Sequence, residues 1–307
     1  MSANLRSILY MMLASCSFAA NDISTKVAVQ YLPTPEIMAI RGAFAAVLAL
    51  LLVIAVHGAA SLRKILNRHV IQRSVFEAMI GPILITLYAF LPIATVTAVM
   101  QVGPFFGMIA GIWLFRESVG WRRWAAALVA FTGVMLIIKP GAAGFQPLAL
   151  LVLLVAVMTV MRDIQSRKIG DAAPPFVVSL ATSITGVMLA FILAPIMLPF
   201  GIRAWGPWLW PDAFSLTVVI GASFFLVIAH AFAFLAFRTG DMAVVSPFRY
   251  FYLLFAVVGG VFVFAEYPDW ISFAGMALVV GGGLYLLHRE RLRSRNATAA
   301  ATAPAGQ

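Results

Sequence analysis

Apolar runs of about 20 residues recur along the chain, separated by short breaks rich in proline, glycine or basic residues. They predict helices at 5–30, 36–57, 74–91, 95–115, 121–138, 148–168, 174–199, 213–236, 242–264 and 270–288. Pro33, Pro35, Pro92, Pro140, Gly141, Pro174, Pro175, Gly201, Pro211, Gly240 and Pro268 mark the joins, where helices are readily broken. The runs lack the alternation of polar and apolar positions that a membrane barrel strand requires. The pattern therefore predicts an all-α membrane protein with ten transmembrane helices.

Composition agrees. The 307 residues are 63% hydrophobic and 10% charged, against roughly 45–50% apolar and about 25% charged in soluble proteins. Ten spans consume about 200 residues, so no soluble catalytic domain fits. The amino terminus needs separate attention, because Arg6, an apolar run and Leu13-Ala14-Ser15-Cys16 resemble a lipoprotein signal, and Ser17-Phe18-Ala19 resembles a signal-peptidase site. The apolar run continues past Cys16 to Val29, interrupted only by Asn21, Asp22 and Lys26, so residues 5–30 are read as a retained first helix. Cys16 is the single cysteine, which excludes an internal disulfide and a thiolate metal cluster.

The net charge of +10 raises nucleic acid as a partner, but the basic residues lie where membrane orientation demands them. With the amino terminus inside, fifteen lysines and arginines fall in inner segments and only Lys139 and Arg203 in outer ones. That asymmetry predicts that both termini are cytoplasmic. Trp205, Trp208, Trp210 and Trp270 are then expected at the outer interface, and Trp113, Trp121 and Trp124 at the inner one.

Sliding the chain against itself discloses a repeat. At an offset of 149, Ala94 meets Ala243, Gly111 meets Gly260, Glu117 meets Glu266, Trp121 meets Trp270 and Gly133 meets Gly282; at 141, Asp22-Ile23 meets Asp163-Ile164 and Lys26 meets Arg167. The chain thus divides into a first five-helix repeat over 1–140, a second over 141–288 and a disordered cytoplasmic tail over 289–307. Because each half has an odd number of spans, the second enters from the opposite face, giving two inverted five-helix repeats, the usual basis of alternating access.

Pro104, Glu117, Trp121 and Gly133, with the second-half Glu266, Trp270 and Gly282, resemble the drug/metabolite transporter superfamily, in its ten-helix branch of two EamA-type halves. Leu253 departs from the pattern where the second half would carry the proline. The resemblance covers about residues 5–288 and, through its aromatic-rich interior, extends to the bacterial aromatic amino-acid exporters. It implies a multi-pass protein of the bacterial inner membrane that exports small metabolites such as amino acids. It also implies a cavity lined by spans one, three, four, six, eight and nine, with spans five and ten peripheral.

Polar groups inside a bilayer are costly, about 2.5–3.5 kcal/mol for a charge at a helix centre, so they face protein or water. Asp22 and Arg41 lie at comparable depth; Asp22 pairs with Arg41 or Lys26 for structure, or serves a gate or proton coupling. Arg162 and Asp163 point about 100° apart and are expected to pair with other helices, for structure or gating. Thr97, Gln101, Pro104 and Met108 share one helix face, mapped by the repeat onto Ser246, Tyr250, Leu253 and Val257; these are two cavity walls or a packing seam. Arg249 stands beside that face as a candidate for a substrate carboxylate or a structural pair. His230, Phe234 and Phe237 form a stripe mapped onto Gly81, Ile85 and Tyr88, either packing or an aromatic wall. The expected substrate-binding set is Phe18, Asn21, Tyr88, Gln101, His230, Phe234, Phe237, Ser246, Arg249 and Tyr250, with Asp22, Arg41, Arg162 and Asp163 for gating or coupling.

No Walker loop, His-Glu-x-x-His or nucleophile elbow occurs, and the histidines lack metal-ligand spacing. The expectation is a secondary transporter, without metal, cofactor or nucleic acid, whose partners are a small-molecule substrate and the lipid bilayer. A permease for another substrate class and a membrane-embedded enzyme are the alternatives.

Overall fold

The computed structural model describes residues 3–115, 120–139, 147–239 and 246–302. Within them every regular element is helical. In a hydrocarbon environment a helix satisfies its own backbone groups, which explains the choice. The α-helices are α1 (Ala3–Ala28), α2 (Thr34–His57), α3 (Arg68–Phe90), α4 (Ile93–Met100), α5 (Gly103–Phe115), α6 (Trp121–Ile138), α7 (Ala149–Ile169), α8 (Pro175–Met197), α9 (Ala213–Thr239), α10 (Phe251–Phe264) and α11 (Trp270–Thr302). Six segments are long and apolar enough to span a membrane, and three shorter helices are also apolar. The molecule is a multi-pass membrane protein.

Boundaries follow local chemistry. Prolines at the first helical positions open α2 and α8, at no cost in backbone hydrogen bonds. Asn67 opens α3 by accepting from the His69 backbone N–H at 2.9 Å. This cap starts α3 at Arg68, so Arg73 belongs to the helix, whereas the sequence reading began that span at 74. The fourth expected span, 95–115, is two helices instead of one. A proline at position 104 has no N–H to offer the Met100 carbonyl, and an unbroken helix does not accommodate a proline ring against the carbonyl one turn back. The chain responds with tight bonds from Gln101 N to Ala98 O and from Val102 N to Val99 O, both 3.1 Å, before α5 begins. The last helix continues past His288, the expected end of the tenth span, to Thr302.

The principal helix contacts are α1 with α9 and α10, α2 with α8 and α9, α3 with α7 and α8, α4 with α10 and α7, and α6 with α11. Each joins a helix before residue 140 to one after 146. α6 and α11 meet through glycines: a Cβ on Gly133 would stand 2.5 Å from the Gly275 carbonyl oxygen, and one on Gly282 2.8 Å from that of Ala126. Small residues let the two backbones touch. The largest buried cluster includes Leu87, Tyr88, Leu91, Ile93, Val96, Val99, Val134, Ile138, Val152, Leu253 and Val279, drawn from both halves.

Trp205 departs from its expected interfacial role. It is buried, and its indole N–H donates to Thr86 Oγ1 at 2.9 Å, tying the 201–212 loop to α3. The same loop is held by Glu36, which accepts from the Leu209 N–H at 2.9 Å, and by the Thr34 N–H to Ala204 O at 2.7 Å. Trp208 stacks on Phe191, while Trp121, Trp124, Trp210 and Trp270 are exposed. Outside the spans, Lys139 pairs with Asp269, and this bond together with those from Ser272 holds the Asp269 carboxyl down at about 2.

Candidate functional site

Three polar layers are stacked along the bundle interior. At one end Lys26 of α1 is paired with Glu266 and also donates to the Leu91 carbonyl at 2.7 Å. Glu266 Oε2 accepts from the Ile93 N–H at 2.9 Å, at the unsatisfied start of α4. The Lys26 ammonium lies 5.0 Å from the centre of the Phe264 ring. This clasp binds α1, the α3–α4 corner and the end of α10 together, and its charges are mutually satisfied.

The middle layer centres on Asp22. Tyr252 of α10 donates to Asp22 Oδ2, Asn21 Nδ2 donates to Asp22 Oδ1 at 2.8 Å, and Tyr88 of α3 is also hydrogen-bonded to the carboxylate. Arg41 of α2 feels the charges of Asp22 and Glu77. Its guanidinium nevertheless makes no hydrogen bond or ion pair among the described residues. Its Nη2 is the nearest atom to the position a Cβ on Gly81 would take, at 4.0 Å. Neither expected pair of Asp22, with Arg41 or with Lys26, is formed, because tyrosines and Asn21 occupy the carboxylate and Glu266 takes the lysine.

In the third layer Arg162 of α7 bonds Glu77 of α3 at 2.9 Å. Its Nε and Nη2 also fold back onto the adjacent Asp163 at 3.0 and 2.8 Å. Expectation is met for Arg162, which reaches another helix, but Asp163 finds its partner next door because the arginine stem is long enough to turn back. Arg73 donates to Ser166 and Thr182, each at 3.0 Å, with Glu77 3.7 Å away. These bonds link α3 to α7 and α8. His230 of α9 packs edge-on against Phe18 at 5.3 Å between ring centres, and its Nδ1 meets the Leu226 carbonyl at 2.8 Å.

Phe18, Asn21, Asp22, Arg41, Tyr88, Arg162, Asp163 and His230 thus fall on helices that meet in the interior. Thr97 is turned inward on its own helix, its hydroxyl donating to the Ile93 carbonyl at 2.8 Å, and Gln101 is half-buried at the α4–α5 break. Tyr250 lies against Gly283 of α11, where no side chain excludes it; its buried hydroxyl has no partner among the described residues. Arg249 is exposed. The side chains of Pro104, Phe234, Phe237 and Ser246, and all of Glu117, lie outside the described residues. Glu77, Tyr252 and the Lys26–Glu266 pair were not expected as site elements. Glu77 was detectable as a carboxylate one turn after Arg73, and Glu266 as a repeated position; Tyr252 carried no signal.

No group of histidine, cysteine, aspartate and glutamate suited to a metal is found among the described residues. A shallow cavity of about 260 Å³ opens beside the clasp, lined by Pro92, Thr95, Lys139, Glu266 and Asp269. It lies at the mouth of the bundle, away from the Asp22 layer.

Residues 5–139 match the EamA-like transporter family. An S-adenosylmethionine uptake transporter of Rickettsia prowazekii is 27% identical over 202 residues, 65% of each chain. The match thus spans about two thirds of that relative's length. A riboflavin transporter of Vibrio cholerae is 29% identical over 300 residues, covering 95% of this chain and 96% of the relative. A pseudopaline exporter of Pseudomonas aeruginosa is 24% identical over 280 residues, covering 89% and 93%. A solved crystal structure shares the fold, with a TM-score of 0.65 at 18% identity over 93% of this chain and 98% of that one. The first half of the chain thus matches the EamA-like transporter family, and along nearly its whole length the chain is similar to transporters of small molecules.

Proposed function

We propose that the protein is a secondary transporter for small metabolites that join a planar ring to a polar end, working by alternating access to one site around Asp22. The observation that carries this reading is the Asp22 layer itself. Helices of both halves contribute aromatic and hydrogen-bonding groups to it, between the Lys26–Glu266 clasp at one end and the Arg73–Ser166–Thr182 network at the other. Aromatic rings offer a flat apolar surface, and the few polar groups orient the solute. Aromatic amino acids belong to this solute class, and so do the S-adenosylmethionine and riboflavin of the relatives' names.

Helix packing supports the inverted repeat on which alternating access depends. Exchange of the halves pairs α1 with α7, α2 with α8, α3 with α9, α4 with α10 and α6 with α11. Every principal contact then maps onto another or onto itself: α1–α9 onto α3–α7, α1–α10 onto α4–α7, and α2–α9 onto α3–α8. With both termini cytoplasmic in the bacterial inner membrane, the clasp closes the outer end. Direction follows the gradients acting on the solute, and export of amino acids is the case in which the solute is made inside.

The test is counterflow in liposomes containing purified protein, with L-tryptophan, S-adenosylmethionine and riboflavin as probes. Saturable exchange of one or more is the expected result. Flux of each that is linear in concentration, or none above empty liposomes, refutes the carrier.

A further inference from the structure

Four cations lie in the described interior of the spans, and three are committed: Lys26 to Glu266, Arg73 to Ser166 and Thr182, Arg162 to Glu77 and Asp163. Arg41 is the exception. Its side chain is half-buried and its donors meet no acceptor among the described residues, although a guanidinium within a membrane span demands one. Asp22, whose charge acts on Arg41, has both oxygens engaged by Tyr252 and Asn21. Space is available at this point, since Gly81 has no side chain and the Arg41 Nη2 is the closest atom to where one would start.

A second unsatisfied group stands beside the same carboxylate. Asn21 is buried at 3% exposure, and its Oδ1 has no hydrogen-bond partner among the described residues. The amide orientation is fixed by chemistry, because turning it would set Oδ1 against the Asp22 carboxylate and lose the Nδ2 bond. Among the described residues the layer therefore presents unpartnered donors on Arg41 of α2 and an unpartnered acceptor on Asn21 of α1, with the Asp22 carboxylate beside Asn21 and acting electrostatically on Arg41. A solute that completes both must carry an anion that takes a planar fork of donors and a cation that donates hydrogen bonds.

We infer that Arg41 and Asn21 read the head of an α-amino acid: Arg41 donates to its carboxylate, and Asn21 Oδ1, backed by Asp22, accepts from its ammonium. This rests on the carrier reading and narrows it. Guanidinium and carboxylate match in planar geometry and can bond bidentately. Recognition of the head group by buried, otherwise unpaired polar atoms is selective, since a solute without the carboxylate leaves Arg41 unsatisfied. The ring-bearing remainder of the solute then meets less exacting apolar contacts. L-Tryptophan and S-adenosylmethionine carry this head; tryptamine, decarboxylated S-adenosylmethionine and riboflavin lack it.

The experiment uses the full chain in liposomes and these five probes, with Arg41→Gln, Arg41→Lys and Asn21→Leu variants. Saturable exchange of L-tryptophan or S-adenosylmethionine is expected, with the matched decarboxylated compound carried poorly. Arg41→Gln should raise KM for the acid by about ten- to hundredfold, the value of a charge-assisted hydrogen bond, with Arg41→Lys intermediate. The thermal midpoint in detergent should be unchanged or higher in Arg41→Gln, because an unpaired interior charge is removed; a lower midpoint with unchanged KM assigns Arg41 to the fold and overturns the inference. Exchange of riboflavin alone, or of the decarboxylated compounds as readily as their parents, also overturns it while leaving the carrier standing. Failure of wild-type protein to exchange any of the five removes the carrier reading and this inference together.

Discussion

Glu77 is the acid on which two arginines converge, Arg162 from α7 and Arg73 one turn earlier on its own helix. Glu77→Gln leaves Arg162 only its sequence neighbour Asp163. Breaking a buried ion pair costs about 3–5 kcal/mol. Because the Arg162 and Glu77 side chains keep 19% and 24% of their exposure, the loss should sit near the lower bound, about 3 kcal/mol. A thermal midpoint in detergent that does not fall would show the pair to be dispensable, and Glu77→Asp should recover part of the loss. The sequence disclosed Asp22, Arg41 and Arg162 because a charge in an apolar run has no neutral explanation. Their partners were hidden, because in helices that are apolar on every side polar spacing does not fix rotation. Tyr252 illustrates this: the expected face ran through Tyr250, yet it is Tyr252, two positions on, that reaches Asp22.

Whole helices were more legible than their partners, since length and hydropathy suffice to find a span. The fourth was drawn too simply, although Pro104 was in view, because proline is tolerated in many membrane helices and only the surroundings decide whether the helix breaks. Gly133 and Gly282 were visible as repeat-related positions, but not as the places where α6 and α11 touch. That contact makes a sharp comparison on one pair of helices. Gly133→Ala places a methyl group 2.5 Å from a backbone oxygen, so the helices must separate, and destabilisation of about 1–3 kcal/mol is expected. Gly281→Ala meets nothing within 4 Å and should be neutral or gain up to about 1 kcal/mol from helix propensity. Equal thermal midpoints for the two variants would contradict close packing at the seam.

At the scale of the molecule, the main helix contacts all run between the halves, so neither half has its principal partners when alone. Residues 1–146 expressed alone should aggregate in detergent or be degraded, and coexpression with 147–307 should restore a single species that co-purifies. A stable, monodisperse first half would contradict this dependence. The same interleaving turns the Lys26–Glu266 clasp into a latch in the proposed cycle, since it fastens α1 and α10 to the α3–α4 corner at one end only. Glu266→Gln preserves the shape but removes the ion pair, and each loss of about 1.4 kcal/mol in closing energy raises the open population about tenfold. Ser24 lies on α1 between Asp22 and Lys26 and is half-buried, so a cysteine there reports opening of that end. In a Cys16→Ser background, Ser24→Cys should react with an impermeant maleimide about tenfold faster when combined with Glu266→Gln, provided the reagent is added from the side of the clasp. Labelling at the wild-type rate would mean that the pair braces the bundle without controlling access to the Asp22 layer.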